Sequence, residues 1–171
     1  MGTGSASRNQ NDISLSIQIR LVKMFRSTVA NQLLEGKLVY SADDFSFDTI
    51  NRRIPGATSV LVNDIQIELS IDHLAIAVWG MCPHTTWKKG HVFKPMSKLG
   101  SLWFEGDLTP GISIRVTQPS EYWPVIFDPH SGWLNIGHGL LADDHAIEFV
   151  KGCIVTLRGG EIANLFLQPE I

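Results

Sequence analysis

Lys151-Gly-Cys-Ile-Val-Thr-Leu-Arg-Gly-Gly-Glu-Ile-Ala-Asn-Leu-Phe-Leu-Gln-Pro169 places two β-rich runs on either side of Gly159-Gly160. A two-residue loop closes as a type I′ turn only when both central residues reach positive φ, which glycine does without steric penalty. Such a turn sets a register with Arg158 facing Glu161, Leu157 facing Ile162 and Thr156 facing Ala163. Continuing, Val155 faces Asn164, Ile154 faces Leu165 and Cys153 faces Phe166. On this register Cys153, Val155, Leu157, Ile162, Asn164 and Phe166 share one core-facing side, with an Arg158–Glu161 ion pair at the tip. Asn164 is the polar exception. Left unpaired among apolar neighbours its amide would cost about 1–3 kcal/mol, so it must meet a backbone group, a water or a ligand.

The same period-2 pattern extends upstream. From Val60 to His73, Ile65, Ile67, Leu69 and Ile71 point one way while Gln66, Glu68, Ser70 and Asp72 point the other. Leu74–Trp79 continues as a more apolar run, with Trp79 expected in the core. Shorter strand-like pieces occupy 101–105, 112–117, 122–127 and 132–136, between turns such as Gly106-Asp107 and Pro110-Gly111. Many short strands at this spacing predict a mainly β domain, an antiparallel sandwich or barrel.

The N-terminal part reads two ways. Ile13, Leu15, Ile17, Ile19 and Leu21 alternate as in a strand, whereas Val22, Phe25, Val29 and Leu33 recur as in a helix that stops at Gly36. The second pattern predicts one helix over about 20–35 packed on the β domain, an α+β variant of the same class. Residues 1–12 read as a flexible leader and 13–171 as a single globular domain.

Composition narrows the class. Apolar residues make up 44% of the 171-residue chain and charged residues 18%, a balance that suits a buried core and not disorder. No apolar run approaches the roughly 18–20 residues of a membrane-spanning helix, and the first dozen residues lack the apolar centre of a secretory signal. Gly2 would invite myristoylation, but Ala6 stands where that signal prefers Ser or Thr. Two cysteines, Cys82 and Cys153, do not make a disulfide scaffold, so the expected compartment is cytoplasmic with both thiols reduced. Residues 121–171 carry seven acids against Lys151 and Arg158, which argues against nucleic acid as the partner of that part.

Chemically versatile side chains concentrate in one window. All six histidines and all five tryptophans lie between His73 and His145. Between Asp72 and Glu105 there is no acid, so Lys88, Lys89, Lys94 and Lys98 act unopposed in sequence, interleaved with Trp87, His91 and Phe93. This loop suits an acidic partner or anionic ligand, with aromatic rings to stack on it. Trp123 and Trp133 lie beside Pro and Gly, where an indole serves as a contact platform, and Trp133 stands near His130, Asn135 and His138 as a setting for a polar ligand. The first functional expectation is therefore a non-catalytic binding protein. It engages a protein partner or small polar ligand through 84–98 and 121–145, using Trp87, Lys88, Lys89, His91, Lys94, Trp123 and Trp133, with no cofactor.

The alternative is a metal-dependent enzyme. Asp128, His130, His138, Asp143, Asp144 and His145 fall within one short stretch and are donors suited to a divalent ion such as zinc, with His130, His138, His145 and Asp143 as the ligand set. Their spacing matches no established metal motif, and no nucleotide-binding glycine loop or Gly-x-Ser-x-Gly elbow occurs. Cys82 and His84 in Gly80-Met-Cys-Pro-His84 form at most a weak thiolate–imidazole candidate.

Overall fold

The computed structural model describes residues 24–170. In chain order the strands are β1 (Met24–Val29), β2 (Lys37–Ser41), β3 (Ser46–Ile50), β4 (Thr58–Val62), β5 (Ile65–Leu69), β6 (Ala75–Met81) and β7 (Lys88–Lys89). They continue as β8 (Lys98–Glu105), β9 (Ile114–Arg115), β10 (Val125–Phe127), β11 (Leu134–Gly137), β12 (His145–Val150), β13 (Cys153–Arg158) and β14 (Glu161–Leu167). They form an eight-stranded sheet in the order β1-β8-β12-β13-β14-β11-β10-β7 and a six-stranded sheet in the order β2-β3-β6-β5-β4-β9.

Both sheets are mixed: β8–β12, β7–β10 and β4–β9 pair in parallel among otherwise antiparallel neighbours. Neither closes into a barrel. Among the described residues the chain is thus mainly β with chiefly antiparallel pairing, as expected, but the barrel option is corrected and three pairings are parallel. Parallel contacts arise where strands distant in sequence are brought side by side by long connections, which local alternation does not encode.

One apolar core lies between the sheets. Leu38, Phe47, Val60, Ile65, Ile67 and Val78 enter it from the six-stranded sheet, and Leu102, Phe104, Ile147, Val155, Leu165 and Leu167 from the other. The alternation of β5 is realised, with Ile65, Ile67 and Leu69 fully buried. The 60–73 run is nevertheless two strands and not one. Asn63 takes φ of +55° at a two-residue turn, and Ile71 ends exposed in the loop before β6. Asn-Asp is a turn signal in its own right, since both side chains bond locally to the backbone and tolerate positive φ. Trp79, expected in the core, is about one-third exposed, at 36%.

The expected helix over 20–35 is replaced. Residues 24–29 form a strand antiparallel to β8, with Phe25 edge-on to Phe104 at 5.3 Å between ring centroids and Arg26 paired with Glu105. Ser27, Thr28 and Val29 are weak helix formers, and pairing along β8 satisfies their backbone groups while seating Phe25 in the core. The rest of that expected helix before Met24, the alternating 13–21 run and the 1–12 leader lie outside the described residues.

The C-terminal hairpin turns as its glycines require, with Gly159 and Gly160 at φ of +58° and +80°. Its register departs from the ideal two residues past the turn. Leu157 faces Ile162, but Thr156 then faces Asn164, Val155 faces Leu165, Ile154 faces Phe166 and Cys153 faces Leu167. Ala163 is left as a bulge. One extra residue flips every later side chain to the other face. Leu165 and Leu167 therefore join the inter-sheet core, while Asn164 and Phe166 pass to the outer face of the eight-stranded sheet. There Phe166 meets Val92, Trp133, Ala146 and Ile154 in a second, smaller apolar cluster. At the tip, Arg158 grips Asp144 with two bonds of 2.7 and 2.9 Å in place of the expected Glu161 pair.

Candidate functional site

The bulge gives the outer face its chemistry. Cross-strand pairing sets Ile126 opposite Asn135 and Asn135 opposite Phe166, so a polar side chain stands in a row between two apolar ones. This row floors a cleft of about 490 Å³. One wall is the chain at His91, Val92 and Phe93; the other is Pro124 with Gly137, His138, Gly139 and Leu140. That volume lies within the range of small-molecule sites.

Two asparagines in neighbouring rows behave differently. Asn164 is fully buried and satisfied: Nδ2 donates to Thr156 Oγ1 at 2.9 Å and to the Gly139 carbonyl at 3.0 Å, while Oδ1 accepts from Gly139 N–H at 3.1 Å. This clamp holds the Gly137–Leu140 wall. Gly137 must lack a side chain for it to form, because a Cβ there would collide with Asn164 Oδ1. Asn135 is only 5% exposed, yet its Nδ2 has no hydrogen-bond partner among the described residues. A buried donor left unmade costs about 1–3 kcal/mol.

The opposite wall hangs on Asp128. Its Oδ1 accepts from His130 and Ser131 N–H at 2.9 and 3.4 Å, and its Oδ2 accepts from Val92 N–H at 3.2 Å and lies 3.0 Å from His91 Nδ1. Burial works to raise the Asp128 pKa, but the amide bonds from Val92, His130 and Ser131 outweigh it and hold the carboxyl far below the usual range. An ionised carboxylate only accepts, so His91 carries its proton on Nδ1 and turns Nε2 to other uses. The loop bearing His91 is thereby anchored to a side chain 37 positions away.

The expected site residues divide between contact surface and scaffold. His91 lines the cleft, and Lys94 lies over the Trp133 ring at 5.0 Å. Trp133 is buried, at 6%, in the outer cluster. Trp87 packs on Tyr40, Phe47 and Phe127, with its Nε1–H on Cys82 Sγ at 3.2 Å. Lys88 and Lys89 are exposed on the short edge strand β7. Trp123 is partly buried against the main core and tied to the β4–β5 turn, where Asn63 Oδ1 accepts from its N–H and Asn63 Nδ2 donates to its carbonyl.

The metal set does not gather. His138 lines the cleft, His145 begins β12 opposite Leu157, and among the described residues no three His, Cys, Asp or Glu side chains come close enough to hold an ion. The imidazole of His84 lies by Tyr40 Oη at 3.3 Å, and burial pushes the Cys82 thiol up to about 11, so no activated thiolate forms there.

Ile126, Gly137 and Phe166 were absent from the expected sites. The signal that would have found them is Asn135 within the apolar stretch Trp133–Ile136, a polar residue that a sheet buries only with reason. Among the described residues no helix is long and apolar enough to cross a membrane. No family model matches the chain, and no curated protein matches it.

Proposed function

We propose that this is a non-catalytic binding protein of the cytoplasm whose outer-face cleft captures a compact, partly apolar ligand bearing a hydrogen-bond acceptor. The observation that carries the reading is the 490 Å³ cleft in which Val92, Phe93, Ile126, Leu140 and Phe166 surround Asn135, a buried residue whose Nδ2 has no partner among the described residues. Both segments expected to bind, 84–98 and 121–145, contribute to that cleft. Phe93, 72% exposed, and Leu140 form its apolar rim, the place where a protein partner would also meet it.

The test is a fragment screen read by amide chemical shifts, with Ile126→Trp as a variant that fills the cleft. Hits that move residues 91–93, 135–140 and 166, and that vanish in Ile126→Trp, support the reading. Hits scattered elsewhere, or unaffected by the variant, overturn it.

A second reading is favoured by one observation, the His91–Asp128 pair at 3.0 Å. A proton fixed on Nδ1 leaves Nε2 free to act as a general base toward a bound molecule. Loss of turnover in His91→Ala with binding retained would support it.

A further inference from the structure

We propose that residues 90–97 dock this protein reversibly on an anionic lipid bilayer, with Phe93 and Met96 entering the headgroup layer and the surrounding lysines meeting lipid phosphates. The segment is a strap across the outer face of the eight-stranded sheet. It leaves β7 at one edge, where Gly90 N–H donates to the Phe127 carbonyl, and joins β8 beyond β12 on the far side. Val92 fastens it to the outer apolar cluster, while Phe93, Lys94 and Met96 stay exposed. The inference is independent of what the adjoining cleft holds.

The charge of this region stands uncompensated. Among the described residues every Lys and Arg outside 88–98 lies in an ion pair. Lys88, Lys89, Lys94 and Lys98 form none, and all four are exposed. Lys88 is the β7 partner of Ile126 and so shares the outer face with it, and Lys94 stands over the Trp133 ring. Lys89 and Lys98 flank the strap at its two ends. The carboxylate under the strap, Asp128, is held by three amides and His91, and no lysine pairs with it. A field of one sign left unpaired fits a negatively charged surface.

The apolar side chains decide what kind of surface. Phe93 and Met96 are the two most exposed large apolar residues among those described, and Met96 is fully exposed. Leu140 and Leu141, on the far side of the cleft, add to them. An acidic protein would have to supply a pocket for each side chain on either side of Lys94, and a nucleic acid would leave Met96 unused. A bilayer needs no matching pocket. Apolar side chains sink about 5–10 Å into the headgroup boundary, while lysine stems follow them and keep the ammonium groups at the phosphates. A short apolar insertion or a basic patch alone binds weakly, and the strap carries both.

The experiment co-sediments the full chain with vesicles of phosphatidylcholine alone and of phosphatidylcholine mixed with phosphatidylserine. Binding should be about tenfold or more tighter to the mixed vesicles and should fade as salt rises. Lys88→Gln with Lys94→Gln should weaken it about tenfold or more, and so should Phe93→Ser with Met96→Ser. All four side chains are exposed, so both double variants should melt close to wild type and the losses report binding. A nitrobenzoxadiazole dye attached through Met96→Cys should shift to the blue on the mixed vesicles. Cys82 and Cys153 are buried and leave the label on residue 96. No binding to the mixed vesicles, or equal binding to both kinds, overturns the inference. Binding to polyglutamate as tight as to vesicles, with no blue shift, points to an acidic macromolecule and overturns it as well.

Discussion

Asn164 Nδ2 donates to Thr156 Oγ1 at 2.9 Å, a pairing that exists only because the Ala163 bulge brings these two residues opposite one another. One row away, Asn135 on β11 stands opposite Phe166 with no partner for its own Nδ2 among the described residues. The same substitution should therefore act with opposite sign at the two sites. Asn164→Leu strands Thr156 Oγ1 and both Gly139 backbone groups, and should cost about 2–3 kcal/mol. Asn135→Leu removes an unmet donor from an apolar row and should be neutral or stabilising by up to about 1 kcal/mol. Urea unfolding of the two variants checks this, and equal losses at both positions would remove the distinction drawn between them.

Acid should destabilise the fold through three carboxyls. Asp144 is lowered by Arg158, Glu170 is drawn down to about 2 by Lys151 and Lys37, and Asp128 is lowered by its amide bonds against the opposing effect of burial. Each folded value lies below the unfolded one, so the contribution is complete above the unfolded carboxyl range of about 4 and is lost as pH falls through the folded values. Unfolding midpoints measured at descending pH should hold steady to about pH 5 and then drop toward pH 2. Asp128→Asn should make that acid limb shallower. A stability that rises on acidification would contradict the assignment.

Neither thiol should be reactive in the folded protein. Burial raises the Cys82 thiol to about 11 and the Cys153 thiol further still. Alkylation at mildly alkaline pH should proceed only after denaturant is added, and His84→Ala should leave the rate unchanged. Rapid labelling of native Cys82, slowed in His84→Ala, would restore the thiolate–imidazole idea.

Trp87 and the neighbouring lysines should separate cleanly. Its ring packs 4.9 Å from Tyr40 and 5.1 Å from Phe127, so Trp87→Ala opens a cavity beside the main core and should cost about 3–4 kcal/mol. Lys88→Ala with Lys89→Ala, both exposed, should stay within about 0.5 kcal/mol. Thermal melts of the two variants give the comparison, and a Trp87→Ala protein as stable as wild type would return that ring to the contact surface.

The chain's own pattern determined the β class, the Gly159-Gly160 turn and the buried Ile65-Ile67-Leu69 face, because turn conformation and period-2 burial depend on residues within a few positions of one another. It also singled out the two segments that border the cleft. Tertiary structure decided the rest. Phe25 and Val29 fit a helical period, but the β1–β8 pairing gives their backbone groups partners that a local count cannot see. The metal donors His130, His138 and His145 are close in sequence and do not converge, while His91 and Asp128, far apart in sequence, do. The Ala163 bulge exchanges the faces of Asn164, Leu165, Phe166 and Leu167, a choice made by the sheet that must bury the leucines against its neighbour. A single-residue shift in pairing leaves composition and propensity unchanged and redirects every following side chain, so the cleft with Asn135 on its floor exists only at the level of the packed sheets.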